Sequence, residues 1–367
     1  MAVGAKSDFN DAPFIAIWEV TQACDLACQH CRASAHPERS SRELSTCEGK
    51  ALLRQVRELA VPVFVLTGGD PMKRPDIFHL VEYGTQLGVR VSMTPSTTPL
   101  LTREAIRDLK ASGLARLAVS IDGATAAVHD HFRRVPGAFA RALDTVRWAR
   151  EVGLPAQINT TIGRHNGGGI EAMAALMETL DIVLWSVFFL IPVGRGRPED
   201  CLDAENIERV FAQLYAIACR VRFDVKTTEA MHYRRYLLQQ RARERASTGA
   251  VAMPLPWAAA GSARAPRGLN DGKGFIFISY RGEVYPSGFL PLSAGNVRRA
   301  PLGEIYRTSP LLRALRDATL LEGKCGVCEF REICGGSRAR AYAVSGSVFA
   351  ADPGCVYEPP RWLNKGL

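Results

Sequence analysis

Several things are missing from this 367-residue chain, and each absence narrows what it can be. No apolar run is long enough to span a bilayer; the longest, Ile182 to Val193, is broken by Ser186 and Pro192. The opening residues, MAVGAKSDFN, contain no apolar core of the kind an export signal needs. Long Lys/Arg runs and aromatic–basic interleaving are absent, so nucleic-acid binding is not expected despite a net charge of +9. No repeat of solenoid length occurs. With 47% hydrophobic and 23% charged residues, neither disorder nor a fibrous architecture fits. The expectation is a cytoplasmic globular protein with no membrane association.

Cysteine is what the chain does have. Seven of its ten cysteines fall into two groups: Cys24, Cys28 and Cys31, then Cys325, Cys328, Cys334 and Cys355. In a reducing compartment, clustered thiols point to metal rather than disulfides. Cys47, Cys201 and Cys219 stand alone and are read as structural thiols. His129 and His131, in HDHFRR, are read as surface or local hydrogen-bonding groups.

Apolar strand-like runs alternate with helical stretches over the first 220 residues or so. The strands are Phe14–Val20, VPVFVLT, GVRVSMT, ARLAVSI, LPAQINTTI and IVLWSVFFL. Between them come helices opened by a Ser45/Glu48 capping box and running near 76–86, 102–111, 138–151 and 171–180, with one near 204–221 closing the series. Strands that are apolar throughout suit a parallel sheet covered by helices, and six βα units in a row predict an α/β partial barrel of the TIM type. Composition turns to Ala, Arg, Ser, Gly and Pro over 241–267, and short strands with the second cysteine group follow. This divides the chain into a barrel (1–225), a linker or variable excursion (226–267) and a small cysteine-rich domain (268–367).

CDLACQHC spaces its cysteines as Cys24-x3-Cys28-x2-Cys31, directly after the first strand. Three thiolates do not close a tetrahedral zinc site unless His30 or His36 completes it. On a 4Fe–4S cube they would instead leave one iron open to an amine and a carboxylate. The C-terminal ends of barrel strands are where such chemistry is sited. The motif resembles the signature of the radical S-adenosylmethionine (SAM) superfamily. Gly68-Gly69-Asp70, after the second strand, is similar to that family's GGE segment, with Asp in place of Glu. By resemblance, its backbone and carboxylate would receive the SAM amino group. Ser120 and Asp122, Asn159 and Gly194, at the ends of strands four, five and six, would line the rest of the SAM pocket.

Cys325-x2-Cys328-x5-Cys334-x20-Cys355 supplies four thiolates, enough for zinc or a fully ligated 4Fe–4S cluster. Behind such a barrel the pattern resembles the SPASM/twitch extension and so implies a second, auxiliary 4Fe–4S cluster. Ser287 and Ser337 stand at or near positions where the complete pattern has cysteines. HCRASA, TGGDPMKRPDI and GEVYPSGFLPLSAGNVR resemble the branch containing alternative haem-synthesis enzymes, which trim carboxylate side chains of porphyrins.

The resemblance implies an enzyme that cleaves SAM reductively to a 5'-deoxyadenosyl radical, which takes a hydrogen atom from a small-molecule or peptide substrate. The electron would come from a low-potential donor such as a flavodoxin or ferredoxin. A carboxylated iron tetrapyrrole is the first substrate class, with Arg133, Arg134, Arg195, Arg298, Arg338 and Arg340 as candidate carboxylate forks. The alternatives are a peptide or other small-molecule maturase, and a non-catalytic iron–sulfur electron carrier.

Overall fold

The structure is a computed structural model that describes residues 9–248 and 268–364. Seven parallel strands build the barrel wall: β1 (Ile15–Glu19), β2 (Val63–Thr67), β3 (Val91–Met93), β4 (Arg116–Ser120), β5 (Ala156–Ile162), β6 (Leu184–Phe189) and β7 (Asp224–Thr228). They lie side by side in chain order, as right-handed βα crossovers require. The helices between them are α1 (Thr46–Glu58), α2 (Ile77–Gln86), α3 (Arg103–Ala111), α4 (Ala126–Arg133), α5 (Ala138–Glu151), α6 (Ile170–Thr179) and α7 (Ala204–Arg220). The capping box forms: Glu48 N donates to Ser45 Oγ at 3.3 Å, and Ser45 N to Glu48 Oε2 at 2.7 Å. Together these bonds satisfy two donors that the start of α1 would otherwise leave orphaned.

Two features depart from the expectation of six strands followed by a linker. The polar segment DVKTT forms β7, and α8 (Tyr233–Thr248) follows, both inside or overlapping the stretch read as an excursion from 226. Neither carries the apolar run that marks a buried strand; β7 is an edge strand whose pairing with β6 supplies its order. Residues 249–267 of that stretch lie outside the described residues. The two-turn α4, capped by Thr125, was also not anticipated, because its histidines and arginine disguise the helical period.

The C-terminal segment joins the same sheet. The two-residue strand β8 (Asn270–Asp271) leads into β9 (Gly274–Ile278), which pairs in parallel with β1, Ile15 opposite Phe275 and Trp18 opposite Ile278. Two further strands, β10 (Glu283–Tyr285) and β11 (Gly295–Asn296), extend it antiparallel, and the short helices α9 (Leu302–Thr308), α10 (Pro310–Arg316) and α11 (Gly323–Val327) follow. One apolar core runs through both parts, from Trp18, Phe64 and Trp185 to Tyr306 and Leu312. A smaller core ties Ile191, after β6, to Leu290, Leu315, Ala339 and Val348. Each buried Val, Leu, Ile or Phe among these contributes about 1.5–3 kcal/mol by leaving water, so the two parts stabilise each other. No helix among the described residues is long and apolar enough to cross a membrane.

Candidate functional site

The loop after β1 carries the first three cysteines and is clamped from both sides by backbone. On one side, Gly69 N donates to Thr21 O at 2.8 Å and Asp70 N to Ala23 O at 2.6 Å. A Cβ on Gly68 would lie 2.5 Å from Thr21 O, and one on Gly69 2.4 Å from Ala23 O. On the other side, Arg195 N donates to Cys31 O at 3.0 Å, and a Cβ on Gly194 would lie 2.4 Å from the carbonyls of Cys31 and Arg32. These glycines therefore let protein approach protein, which their sequence context does not distinguish from approach to a ligand.

Within the clamp Cys24 and Cys28 are buried with Leu26 and Ala35, and Cys31 packs against the same cluster. Cys24 Sγ accepts from Leu26 N at 3.4 Å, and Cys31 Sγ from Ala35 N at 3.3 Å. Arg133 Nη1 lies 3.6 Å from Cys28 Sγ. Burial pushes the Cys24 thiol up to about 11, with Asp70 and Cys28 adding to the effect. A cationic metal reverses such a shift, so donor chemistry and N–H···S bonds both suit iron bound as thiolate. Neither histidine offered for zinc joins the group. His30 is half-buried in a stack, 4.1 Å from Phe132, which itself stacks on His165; His36 is exposed. No three His, Cys, Asp or Glu side chains among the described residues gather as for a single ion.

The two acids of the expected pocket are engaged with protein. Asp70 is fully buried; Thr98 Oγ1 donates to its Oδ2 at 2.6 Å, and Met72 N and Ser96 N donate to its Oδ1. It ties the β2 and β3 loops together, with burial pushing its carboxyl up. Asp122 is also fully buried and accepts from Arg133 Nε at 2.7 Å and Thr161 N at 2.7 Å. Burial opposes its charge, but Arg133 holds it below the ordinary carboxylate value. Ser120 and Asn159 are half-buried, lie opposite each other in register, and face the inside of the sheet. Sequence reasoning missed Ser96, whose Oγ sits 3.3 Å from Cys24 Sγ and donates to Gly69 O at 2.8 Å. The -TPST- context after β3 was its only signal.

Five of the six candidate carboxylate forks are not buried and free. Arg133 holds Asp122, and Arg298 pairs with Glu48 at 2.6 Å. The Arg338 guanidinium is buried on the carbonyls of Val348 and Ala350; Arg340 pairs with Asp352 at 3.1 Å. Arg134 is exposed on an open surface concavity. Only Arg195 keeps buried Nε and Nη2 atoms without a partner. His129 is a buried structural group, its Nδ1 accepting from Asp122 N at 3.0 Å, while His131 is exposed. Of the lone thiols, Cys47 and Cys219 are exposed and Cys201 is half-buried.

The second cysteine group lines one cavity. Cys325, Cys328, Cys334 and Cys355 all contribute to its wall, with His232, Arg235, Lys324 and Asp352. Gly336 N donates to Cys334 Sγ at 3.3 Å and Asp352 N to Cys325 Sγ at 3.5 Å. Burial pushes the Cys334 thiol up to about 12 and the Cys328 thiol up to about 11. Four sulfurs around one hollow fit a four-cysteine cluster. Ser337, by contrast, caps α12 (Arg338–Ser345) by accepting from Arg340 N at 3.1 Å, and donates to the buried Glu229 at 2.6 Å. Ser287 is buried and bonds Asp271, which accepts from Arg338 N and Ala339 N at the start of α12.

Comparison with known proteins adds three findings. The family described as the Radical SAM superfamily matches residues 18–180. The chain is 39% identical to an AdoMet-dependent heme synthase of Methanosarcina barkeri over 96% of its own length and 99% of that protein's. It is 42% identical to the enzyme of the same description from Nitratidesulfovibrio vulgaris, over 94% and 92%. Among solved structures it resembles Streptococcus suis SuiB bound to precursor peptide SuiA, with a TM-score of 0.72 at 16% identity, covering 95% of this chain and 76% of that one.

Proposed function

The chain belongs to the radical SAM superfamily, and from that premise we propose that it forms haem by oxidative decarboxylation of side chains on a carboxylated iron tetrapyrrole. The observation that carries this reading is the end-to-end likeness to AdoMet-dependent heme synthases, which spans both cysteine groups. When bound, a 4Fe–4S cluster and SAM supply one-electron cleavage of the sulfonium and a 5'-deoxyadenosyl radical that removes a hydrogen atom from the substrate.

The chain's own residues prepare that chemistry. Cys24, Cys28 and Cys31 would hold the cluster, and the apolar packing of Leu26, Ala35 and Val135 around them keeps water away. Gly68, Gly69 and Gly194 fix the loop from two sides, and Ser120 and Asn159 would present polar groups to SAM from the inner face. Asp70 and Asp122 would complete the SAM pocket while fixing its walls, Asp70 to the loop after β3 through Thr98 and Asp122 to α4 and β5 through Arg133 and Thr161. Cys325, Cys328, Cys334 and Cys355 would hold an auxiliary 4Fe–4S cluster, with no position left for substrate. A low-potential flavodoxin or ferredoxin in the cytoplasm would supply electrons, and the division into barrel, excursion and cysteine-rich domain belongs to the same proposal.

The test is anaerobic. Reconstituted protein should carry about eight irons, and the Cys24/Cys28/Cys31→Ala variant about four. With reductant, SAM and iron coproporphyrin III, the wild type should yield deoxyadenosine and haem, and the variant neither. SAM cleavage without any porphyrin product would move the reading to a peptide or other small molecule. Full iron loading without SAM cleavage, with the porphyrin present, would favour the electron carrier.

A further inference from the structure

Alternate residues of the barrel strands face opposite ways. Leu117 and Val119 of β4, Ile158 and Ile162 of β5, Trp185 and Val187 of β6 and Val225 of β7 point into the core beneath the helices. The intervening positions therefore line the inside of the barrel: Arg116, Asn159, Ser186 and Lys226 among them. The register runs Ser120–Asn159–Ser186–Lys226 across four strands, so Lys226 stands on the same rung as the two polar residues assigned to SAM.

Lys226 is exposed, yet it makes no hydrogen bond or ion pair with any described residue. Burial of its ammonium on that inner face pushes its pKa down to about 8, and Arg116 and Arg234 push the same way. Arg116 has one weak partner, Gln157 Oε1 at 3.4 Å. Arg234, at the start of α8, donates to Ile333 O at 3.0 Å beside Cys334 of the second cysteine group. Asp224, on the inner face of β7, is the carboxylate that bears on Arg116; Arg90 adds another positive charge. Around Lys226 the named cations, Arg116, Arg90 and Arg234, outnumber the one acid, Asp224.

Gathering like charges in an enclosed interior costs stability, and an anionic ligand recovers it. Haem keeps two propionates after two other side chains have been decarboxylated, so the substrate must be gripped by carboxylates that do not react. We propose that Lys226, on the inner-face rung of Ser120, Asn159 and Ser186 and with Arg116 and Arg234 as its cationic neighbours, is the seat for those retained carboxylates. This rests on the haem-forming reading above.

The test uses the full-length, anaerobically reconstituted protein and a Soret-band titration with iron coproporphyrin III, as free acid and as tetramethyl ester. Lys226→Met should raise the Kd for the free acid at least tenfold, leave the Kd for the ester and for SAM unchanged, and keep the wild-type iron content. Lys226→Arg should restore binding to within about threefold, because it keeps the charge. Should Lys226→Met fold poorly, seen as lost iron, Arg116→Gln is judged on the same acid-to-ester ratio. Equal binding of the free acid by wild type and a well-folded variant overturns the seat. A wild type that binds neither porphyrin overturns the haem reading itself, and the seat with it.

Discussion

Gly194 shows how a single residue carries the site. Its φ of +62° is the left-handed conformation, and the space a Cβ would occupy is 2.4 Å from two carbonyls of the cysteine loop. Gly194→Ala should therefore loosen the loop from β6 and cut iron from about eight to about four per chain on anaerobic reconstitution, the auxiliary share remaining. An alanine variant with full iron and wild-type SAM cleavage would contradict the clamp. His129 makes a pH prediction. Burial, aided by Arg133 against the pull of Asp122, lowers its pKa to about 4. Between about 6.5 and about 4 the unfolded chain takes up a proton that the folded chain does not, so stability falls as pH drops through that window. His129→Asn, whose side-chain oxygen can still accept from Asp122 N, should show a shallower loss of thermal stability between pH 7 and pH 5. Parallel slopes for the two proteins would refute it.

At the scale of elements, α12 is held by its first turn. Ser337 caps it and also satisfies Glu229, whose carboxyl burial and Asp271 push well above the ordinary value. Ser337→Ala should cost about 1 kcal/mol for the cap and a further 1–3 kcal/mol or so for the unsatisfied partner, seen as a lower thermal midpoint. For the same reason the serines are not vacant cluster positions: Ser287→Cys/Ser337→Cys should gain no iron. A rise toward twelve irons would show that a third cluster site persists. The helices and strands themselves were largely legible in sequence, since α3 and α5 begin and end within a residue of the expected bounds and α1 begins at its expected capping box. What escaped were α4 and β7, whose order comes from their neighbours rather than from a hydrophobic pattern of their own.

For the whole molecule, the second cysteine segment is part of the barrel's sheet. Ile15 to Trp18 pair on one side with β2 and on the other with Phe275 to Ile278. A chain ending at residue 248 would leave that edge of β1 unpaired and Trp18's core without Tyr306 and Leu312. Such an edge invites aggregation, so the truncated protein should be recovered in the insoluble fraction and a soluble, cluster-loaded barrel would argue against this coupling. Basic charge also resolves at this scale: most of the arginines singled out in sequence are consumed by internal partners, while Lys226, a cation on the inner face of the barrel with no hydrogen bond or ion pair among the described residues, is a lysine that no motif marked.

Sequence alone narrowed the chemistry available here, because three thiolates suit a cluster with one open iron, four suit zinc or a closed iron–sulfur cluster, and a motif that directly follows a strand sits at the C-terminal end of a parallel barrel. Tertiary structure decided which groups are free to act. Asp70, Asp122, Arg338 and Arg340 have the right charge for a ligand and each also holds buried protein partners, which only through-space neighbours could reveal. Lys226 is the converse case: an unremarkable residue in a polar edge strand, made significant by the face it occupies and the cations placed near it by distant parts of the chain.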